Sequence, residues 1–437
     1  MDKNRLTAFE ALLKIEQEGA YSNLAVANAI REYRPDNEAF VRNLVYGVLQ
    51  QKILIDYWLD AFVKSGVRKV KPRARVLLRM GLYQIEFMDS VPDYAAVSET
   101  VQLSRKKCPG FSGLINGVLR SCLRETEKRA LPDPEKDPAA HLSVKYSYSR
   151  DLTELWLGRF GQKRAEALMA AGNQTPPLTI CVNTLKITAD KLSDILEETG
   201  FSVRKPEVDG MPPEQAEAVK AHALFVSGNG VMDTEEFHNG LFYVQDISSM
   251  RAVAALSPHP GQRILDVCAA PGGKSLFASL LMEDEGLIQS CDIYDHKLRL
   301  IKNTAARLGI HRIQTVNQDA SELYPEFSEC ADAVIVDVPC SGLGVVRRKP
   351  EIKWKMTKDS IQELPLLQYR ILDNAAQYVR KNGRLLYSTC TISKEENEEL
   401  ADRFLKTHSD FTKVAECQLF PDTDDSDGFY FCIMEKK

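Results

Sequence analysis

Two cysteines in the last quarter of the chain stand in motifs that suit nucleophilic chemistry. Cys340 lies in DVPCSG at residues 337–342, and Cys390 lies in STCT at residues 388–391. A thiolate that adds to C6 of a cytosine makes an enamine whose C5 can attack an electrophilic methyl group. A base must then remove the C5 proton so that the thiolate can leave. Cytosine methylation at C5 would therefore use two thiols, whereas the alternative is a pair of small buried apolar side chains.

A glycine-rich turn precedes these motifs at residues 266–275, which read DVCAAPGGKS. A phosphate-binding P-loop would need a glycine where Cys268 stands, and the dinucleotide fingerprint G-x-G-x-x-G is absent from the turn. The turn suits a ligand without a pyrophosphate, such as S-adenosylmethionine, because glycines let the backbone approach the ligand closely. The candidate cofactor-binding residues of the turn are Cys268, Ala269, Ala270, Pro271, Gly272, Gly273 and Lys274.

Acidic residues end the next two predicted strands. Asp292 stands 26 residues after Asp266, where a carboxylate can accept hydrogen bonds from both hydroxyls of a ribose. Asp319 ends the third strand, where it would meet the edge of an adenine. Each acid alone is typical of a helix cap or a solvated turn. Their recurrence at three successive strand ends favours a site for S-adenosylmethionine.

The elements that would position these residues alternate between strands and helices from residue 241 onward. Strands are predicted at residues 263–267, 287–293, 313–317, 333–338 and 384–388, with helices at 274–282, 296–308, 361–379 and 394–407. Buried strands joined by helical crossovers predict a doubly wound parallel sheet, whose ligands bind outside the carboxyl ends of the strands. Residues 428–434 (GFYFCIM) predict a further strand, antiparallel at or near the sheet edge.

The 437 residues predict several domains. Apolar residues recur at helical spacings near the N-terminus, and the next segment mixes a strand at 178–182 with helices at 152–171 and 191–199. The predicted organisation is an all-α bundle at 1–126, a charged linker at 127–142, a small α/β module that binds RNA at 143–235, and a doubly wound, Rossmann-like catalytic domain at 236–437.

The net charge of −5 hides an uneven distribution. Residues 1–130 carry 21 Lys and Arg against 15 Asp and Glu, and seven of these cations fall within residues 64–79, which contain no acid. Such a cluster suits phosphate contacts, because cations that bind a polyanion release its counterions; a solvated helix face is the alternative. Residues 347–355 (RRKPEIKWK) combine cations with an aromatic ring and predict a second contact, with single-stranded nucleic acid.

Composition and cysteine usage exclude several classes. With 44% hydrophobic and 27% charged residues the chain is not a disordered one. No run approaches the ~18 apolar residues of a membrane-spanning helix, and charges interrupt the N-terminal apolar residues, unlike those of a secretory signal. Ten cysteines without a C-x-x-C pair supply neither a disulfide scaffold nor a zinc site. We expect a cytoplasmic monomer that binds no metal.

Four motifs together resemble those of a known family, the bacterial 16S rRNA (cytosine-5)-methyltransferases of type B (RsmB, Fmu, Sun). They are CAAPGGK at 268–274, DVPCSG at 337–342, RRKPEIKW at 347–354 and STCT at 388–391. Residues 79–85 and 98–123 resemble the NusB RNA-binding fold that this family carries at its N-terminus. The resemblance covers nearly the whole chain, and DVPCSG with a downstream T-C is its most specific part.

The resemblance implies methylation at C5 of a cytosine in 16S rRNA, cytosine 967 in this family, with S-adenosylmethionine as the cofactor. It implies that Cys390 is the nucleophile, that Cys340 assists release of the product, and that Asp337 lies between cofactor and target base. Residues 268–274, Asp292, Asp319 and Asp337 would bind the cofactor. One departure is Cys181, where relatives commonly have an arginine before a Val-Asn pair, so an RNA contact at that point is in doubt.

Three other functions are compatible with parts of this pattern. A non-catalytic RNA-binding or antitermination factor would explain the NusB-like region but has no use for both cysteines. A DNA cytosine methyltransferase attacks with the P-C cysteine and has little use for the T-C cysteine. An amino-methyltransferase would carry D/N-P-P-Y/F at residues 337–340. The two cysteine motifs therefore favour the RNA enzyme.

Overall fold

The computed structural model describes residues 2–356 and 358–437, with side chains for all of these except residues 358–362. The chain divides into two compact units, one formed by residues 1–174 and 346–357 and the other by residues 175–345 and 358–437. No membrane-spanning helix is found in the described part of the chain. The division into four segments that the sequence predicts is not tested by these two units and stays a proposal.

The first unit is helical wherever the structure assigns regular elements to its described residues, as the spacing of its apolar residues predicts. Leu44, Ile55 and Leu77 are fully buried in its core. Asn37 starts a helix by accepting a hydrogen bond from the Phe40 backbone N–H. The helices are α1 (Lys3–Glu18), α2 (Ser22–Tyr33), α3 (Glu38–Gln50), α4 (Lys52–Asp60), α5 (Pro72–Phe87), α6 (Asp93–Lys107), α7 (Ser112–Arg124), α8 (Pro138–Tyr146) and α9 (Arg150–Ala171).

The second unit begins with a small antiparallel sheet. Its strands are β1 (Leu178–Val182), β2 (Ser202–Arg204), β3 (Ala223–Ser227) and β4 (Phe242–Val244), in the order β2-β3-β1-β4. Helices α10 (Ala189–Glu198), α11 (Pro213–His222) and α12 (Glu235–His238) connect them. Cys181 is fully buried within β1, so the side chain at this departure from the family pattern is out of reach of RNA.

A larger mixed sheet forms the rest of the second unit. Its strands are β5 (Arg263–Asp266), β6 (Leu287–Asp292), β7 (Ile313–Asn317), β8 (Ala331–Asp337), β9 (Val379–Thr389), β10 (Phe411–Leu419) and β11 (Phe429–Lys436). The helices that follow the small sheet are α13 (Ile247–Leu256), α14 (Gly273–Leu281), α15 (Asp295–Leu308), α16 (Ile352–Lys355, within the first unit), α17 (Lys358–Ala376) and α18 (Glu398–Thr407). The predicted doubly wound architecture is confirmed.

The strand order places the chemistry-bearing motifs at one edge of this sheet. The order is β10-β11-β9-β8-β5-β6-β7, and β5 to β9 run parallel to one another. The carboxyl ends of parallel strands lie at the same edge, where ligands of such sheets bind. The last strand is antiparallel, as predicted, but β10 is the true edge strand and was not predicted.

Candidate active site

The two motif cysteines meet at the carboxyl edge of the large sheet. Cys340 lies three residues after β8 and Cys390 directly after β9, its parallel neighbour. Their Sγ atoms are 3.0 Å apart, within hydrogen-bond distance. This hydrogen bond, together with burial, raises the pKa of the Cys340 thiol well above its usual value. Ionising both sulfurs at this distance is unfavourable, so the pair is suited to one thiol and one thiolate.

Asp337, the last residue of β8, connects the cysteine motifs with the glycine turn. Its Oδ2 accepts a hydrogen bond from Lys274 Nζ at 2.6 Å, and its Oδ1 accepts one from Ser388 Oγ at 2.8 Å. Lys274 belongs to the glycine turn, whereas Ser388 lies two residues before Cys390. The carboxylate therefore lies between the proposed cofactor turn and the cysteine that follows β9.

The glycine turn joins β5 to α14 in a geometry that excludes larger residues. Gly272 has a φ of +106°, and a Cβ there would lie 3.0 Å from the side chain of Ile301. The turn is tied to β6 because the Ala269 N–H donates to the Cys291 carbonyl at 2.8 Å. Next to it, Asp266 Oδ1 is buried without a hydrogen-bond partner in the described part of the chain. A close backbone and an unpartnered carboxylate oxygen fit a ligand that brings donors to this edge.

Asp292 and Asp319 end β6 and follow β7 at the same edge. Each closes a local turn, because Oδ1 of Asp292 accepts from the Tyr294 N–H at 3.0 Å and Oδ1 of Asp319 from the Ser321 N–H at 2.9 Å. Asp292 is largely buried and Asp319 is exposed. Among the described residues no hydrogen-bond donor contacts the second oxygen of either carboxylate. The turn-closing role and a ligand-binding role are thus compatible in both residues.

A buried carboxyl group beneath the Cys340 loop was missed by the sequence analysis. Glu396 is fully buried, and its Oε2 accepts from the Ser341 N–H and from Gln368 Nε2, both at 2.9 Å. Its Oε1 accepts from Ser341 Oγ at 2.5 Å. Gln368 also donates to the Pro339 carbonyl at 2.9 Å. The backbone is therefore fixed on both sides of Cys340.

The neighbouring Asn397 does the same for the Cys390 loop. Its Oδ1 accepts from Thr389 Oγ1 at 2.6 Å, and its Nδ2 donates to the Thr391 carbonyl at 3.0 Å. The sequence predicts a helix from residue 394, but the helix begins only at Glu398, because the Asn397 backbone (φ −110°, ψ −109°) is not helical. In the sequence, Glu396 and Asn397 could have been found only as an acid and an amide that stand six and seven residues after Cys390.

The structure separates the cations of residues 64–79 into some that are paired with acids of the protein and others that are exposed. Arg79 is buried and forms ion pairs with Asp56 and Glu16, and Arg75 also pairs with Glu16. Burial raises the pKa of Glu16, but Arg79, Lys52 and Arg75 together lower it to about 2. The predicted phosphate contacts are therefore wrong for Arg75 and Arg79. The prediction of phosphate contacts still stands for the cations that are exposed, which are Lys64, Arg68, Lys69, Lys71 and Arg73.

The second predicted RNA segment, residues 347–355, is part of the first unit. Lys353 is fully buried; its Nζ donates to the Gln50 carbonyl at 3.2 Å, and burial lowers its pKa to about 7. Trp354 packs against the helical core, with Lys52 Nζ 4.7 Å from the centre of its ring. The predicted nucleic-acid contact is wrong for Lys353, because its ammonium group donates hydrogen bonds to carbonyl groups of the protein.

Comparison with known proteins agrees with this geometry. Residues 253–435 match the family of 16S rRNA methyltransferases RsmB/F, residues 2–124 the NusB family, and residues 150–211 the ferredoxin-like domain of RsmF/B-like methyltransferases. The probable ribosomal RNA small subunit methyltransferase B of Bacillus subtilis is 36% identical over 98% of both chains. Its counterpart from Synechocystis is 32% identical over 93% of this chain and 90% of that protein.

Solved structures show the same fold. The crystal structure of PH0851 covers 98% of both chains with a TM-score of 0.82 and 26% identity. A methyltransferase homolog protein from Pyrococcus horikoshii covers 70% of this chain and 100% of its own, with a TM-score of 0.59 and 25% identity. Fold and edge site together define a methyltransferase with a Rossmann-like catalytic domain. The chain belongs to the ribosomal RNA small subunit methyltransferase B family and carries the NusB RNA-binding domain at its N-terminus.

Proposed function

We propose that this rRNA methyltransferase transfers a methyl group from S-adenosylmethionine to C5 of a cytosine in 16S rRNA, at the position of cytosine 967, through a covalent bond between Cys390 and C6. The observation that carries the proposal is the 3.0 Å approach of two thiols at the strand edge that also bears the glycine turn. Neither an RNA-binding factor nor an amino-methyltransferase has a use for that pair. Our proposal includes 16S rRNA as the partner of a cytoplasmic monomer that needs no metal.

The cofactor would be held by the glycine turn and the strand-end acids. Residues 268–274 would approach it with their backbone, Asp292 would accept from the ribose hydroxyls, and Asp319 would face the adenine. Asp337 would lie between the cofactor and the base, where Lys274 and Ser388 hold its carboxylate. When bound, S-adenosylmethionine supplies an electrophilic methyl group on a sulfonium sulfur.

The contact between the thiols suggests how the two cysteines divide the work. A Cys390 thiolate accepts a hydrogen bond from the Cys340 thiol and adds to C6. Once the Cys390 sulfur is bonded to carbon, the hydrogen bond that raises the pKa of Cys340 is lost. After methyl transfer to C5, Cys340 releases its own proton to solvent more readily. The resulting thiolate can accept the C5 proton, and the electron pair of the C5–H bond expels the Cys390 thiolate.

Substitution of each cysteine separates these roles. Cys390→Ala cannot form the enamine, so neither methyl transfer nor a covalent complex is expected. Cys340→Ala should still attack and methylate, then stall before elimination. With 16S rRNA and S-adenosylmethionine, a protein–RNA adduct that survives denaturing electrophoresis should accumulate only for Cys340→Ala.

The same assay can overturn the proposal. An adduct trapped by Cys390→Ala instead would make Cys340 the nucleophile, as in the DNA enzymes. Near-normal turnover by both variants would mean that the thiols are structural. Bisulfite sequencing of 16S rRNA from a deletion strain locates the modified nucleotide, and an unchanged cytosine 967 would refute the proposed position.

A further inference from the structure

We propose that Glu396 is a positioning residue that holds Cys340 and Cys390 at the separation their shared chemistry requires. The inference rests on the proposed function for its catalytic consequence, but its geometric part concerns the free protein alone. Glu396 contacts neither thiol and lies on neither cysteine motif. Its charge helps to raise the pKa of the Cys340 thiol, whereas its effect on position would pass through the residue that follows each cysteine.

Glu396 reaches the Cys340 side through two bonds to one residue. Both the N–H and the Oγ of Ser341 donate to its carboxyl oxygens, at 2.9 and 2.5 Å. Because the Ser341 nitrogen is bonded to the Cys340 carbonyl carbon, the first of these bonds restrains the peptide that carries Cys340. Gln368 bridges Glu396 and the Pro339 carbonyl, so the restraint includes the peptide before the cysteine as well.

The Cys390 side is reached through a chain of hydroxyl groups. Thr391 Oγ1 and Ser341 Oγ lie 2.7 Å apart, and Thr391 Oγ1 is 3.5 Å from Glu396 Oε1. The Gly344 N–H also donates to the Cys390 carbonyl at 3.1 Å, which ties the two loops together at a second point. Glu396 is thus the group around which the residues after both cysteines are arranged.

Burial explains why this group would control geometry. Glu396, Ser341 and Thr391 are all nearly or fully buried, so water cannot replace a hydrogen bond that is lost among them. A truncated side chain would leave the Ser341 N–H without an acceptor and would leave Gln368 Nε2 with the Pro339 carbonyl alone. The loop that carries Cys340 would then relax to satisfy them, and the Sγ–Sγ distance would lengthen.

The first test measures thiol proximity without RNA or cofactor. Diamide takes up the two electrons and two protons of a thiol pair as their disulfide forms, and peptide mass spectrometry identifies the Cys340–Cys390 product. Glu396→Ala should slow this cross-link several-fold relative to wild type. Glu399→Ala, at an exposed position three residues further on in α18, is the matched control and should cross-link at the wild-type rate.

The second test measures the catalytic consequence. Misplacing a reacting group by about 1 Å costs on the order of 10²-fold in rate, so kcat of Glu396→Ala should fall by that order while KM for S-adenosylmethionine stays within about twofold. Glu396→Gln keeps an oxygen for the two N–H donors and can donate its amide to Ser341 Oγ. It should restore both the cross-linking rate and most of kcat.

Each remaining outcome decides the inference. Wild-type cross-linking in Glu396→Ala would overturn it. A Glu396→Gln variant as impaired as Glu396→Ala would also overturn it, because the hydrogen bonds that glutamine keeps would then not set the position of the thiols. If Glu396→Ala does not fold, Glu396→Asp takes its place, since it withdraws the carboxylate by one methylene, and wild-type behaviour would again overturn the inference. If the wild type does not methylate 16S rRNA, the proposed function fails, whereas the cross-linking result still decides the role of Glu396.

Discussion

Arg79 offers the sharpest test of how the structure reassigns the basic run of the first unit. Its guanidinium donates to both oxygens of Asp56, at 2.6 and 2.8 Å, and to Glu16 at 2.9 Å. The side chain is 6% exposed. Arg79→Met keeps much of the apolar stem and removes the charge and all three hydrogen bonds. We expect this variant to lose stability rather than affinity for RNA.

The size of the loss follows from what the two acids retain. Glu16 keeps Arg75 at 2.6 Å and Lys52 at 3.5 Å, so its charge stays compensated. Asp56 loses both hydrogen bonds to Arg79, although its side chain is 18% exposed and gains some hydration. Breaking a buried ion pair by removing one partner costs ~3–5 kcal/mol, and the retained partners of Glu16 place the expected loss near the lower end, at about 3 kcal/mol.

Urea unfolding followed by tryptophan fluorescence measures this loss in the full-length protein. All three tryptophans, Trp58, Trp156 and Trp354, belong to the first unit, so the signal reports on the unit that holds Arg79. Arg73→Met at an exposed position is the control and should change stability by less than about 0.5 kcal/mol. An unchanged unfolding midpoint for Arg79→Met, together with weakened RNA binding, would refute the structural role and restore the phosphate contact.

Three further predictions concern the cofactor, the RNA and acid stability. Asp292→Ala should bind S-adenosylmethionine much more weakly in calorimetry, and unchanged affinity would remove Asp292 from the site. Charge reversal of Lys71 and Arg73 should weaken RNA binding and reduce the slope of log K against log salt by ~0.7–0.9 per lost contact; an unaltered slope would leave them as a solvated surface. The pKa of Glu16 is lowered from 4.5 to about 2, so the unfolded chain binds the extra proton between these values, and ~3 kcal/mol of stability should be lost as the pH falls from about 4.5 to about 2. Glu16→Gln should abolish this dependence in acid unfolding, and a persistent dependence would assign it to other carboxyls.

The architecture could be predicted from the sequence because buried parallel strands leave a strong local signal. Apolar, β-branched runs such as Ala331–Asp337 alternate with amphipathic helices, and the sheet follows from that alternation. The edge strand Phe411–Leu419 escaped prediction because most of its residues are not buried, which leaves little apolar alternation to detect. The short strands β2 and β4 have three residues each and give no periodicity at all.

The partners of the site residues could not be predicted in the same way. The sequence brings Cys340 and Cys390 to one sheet edge through the strand-end rule, but it carries no distance between them. Glu396 stands 55 positions after its hydrogen-bond partner Ser341 in the Cys340 loop. Gln368 stands 28 positions before its own partner, Glu396. Such pairings depend on how α17 and the loop before α18 pack, which no local pattern encodes.

Charge patterns were the least reliable guide, for a physical reason. A run of cations without neighbouring acids suggests a free electrostatic surface, yet acids distant in sequence can supply the countercharge. Arg79 meets Asp56 and Glu16 from two other helices, and Lys353 meets backbone carbonyls rather than phosphates. Sequence position therefore indicates where cations are abundant, whereas only burial shows which of them are available to RNA.

Asp337 shows how the two halves of the site depend on one another. Because Lys274 and Ser388 bind different oxygens of its carboxylate, a shift of the glycine turn alters one hydrogen bond while a shift of β9 alters the other. Lys274 is itself nearly buried, with Nζ 5.0 Å from the centre of the Phe429 ring, so its ammonium group has little freedom to follow. A ligand that orders the glycine turn would consequently also restrain the strand that ends beside Cys390. Under the proposed function, cofactor binding and the placement of Cys390 would be coupled through the Asp337 carboxylate.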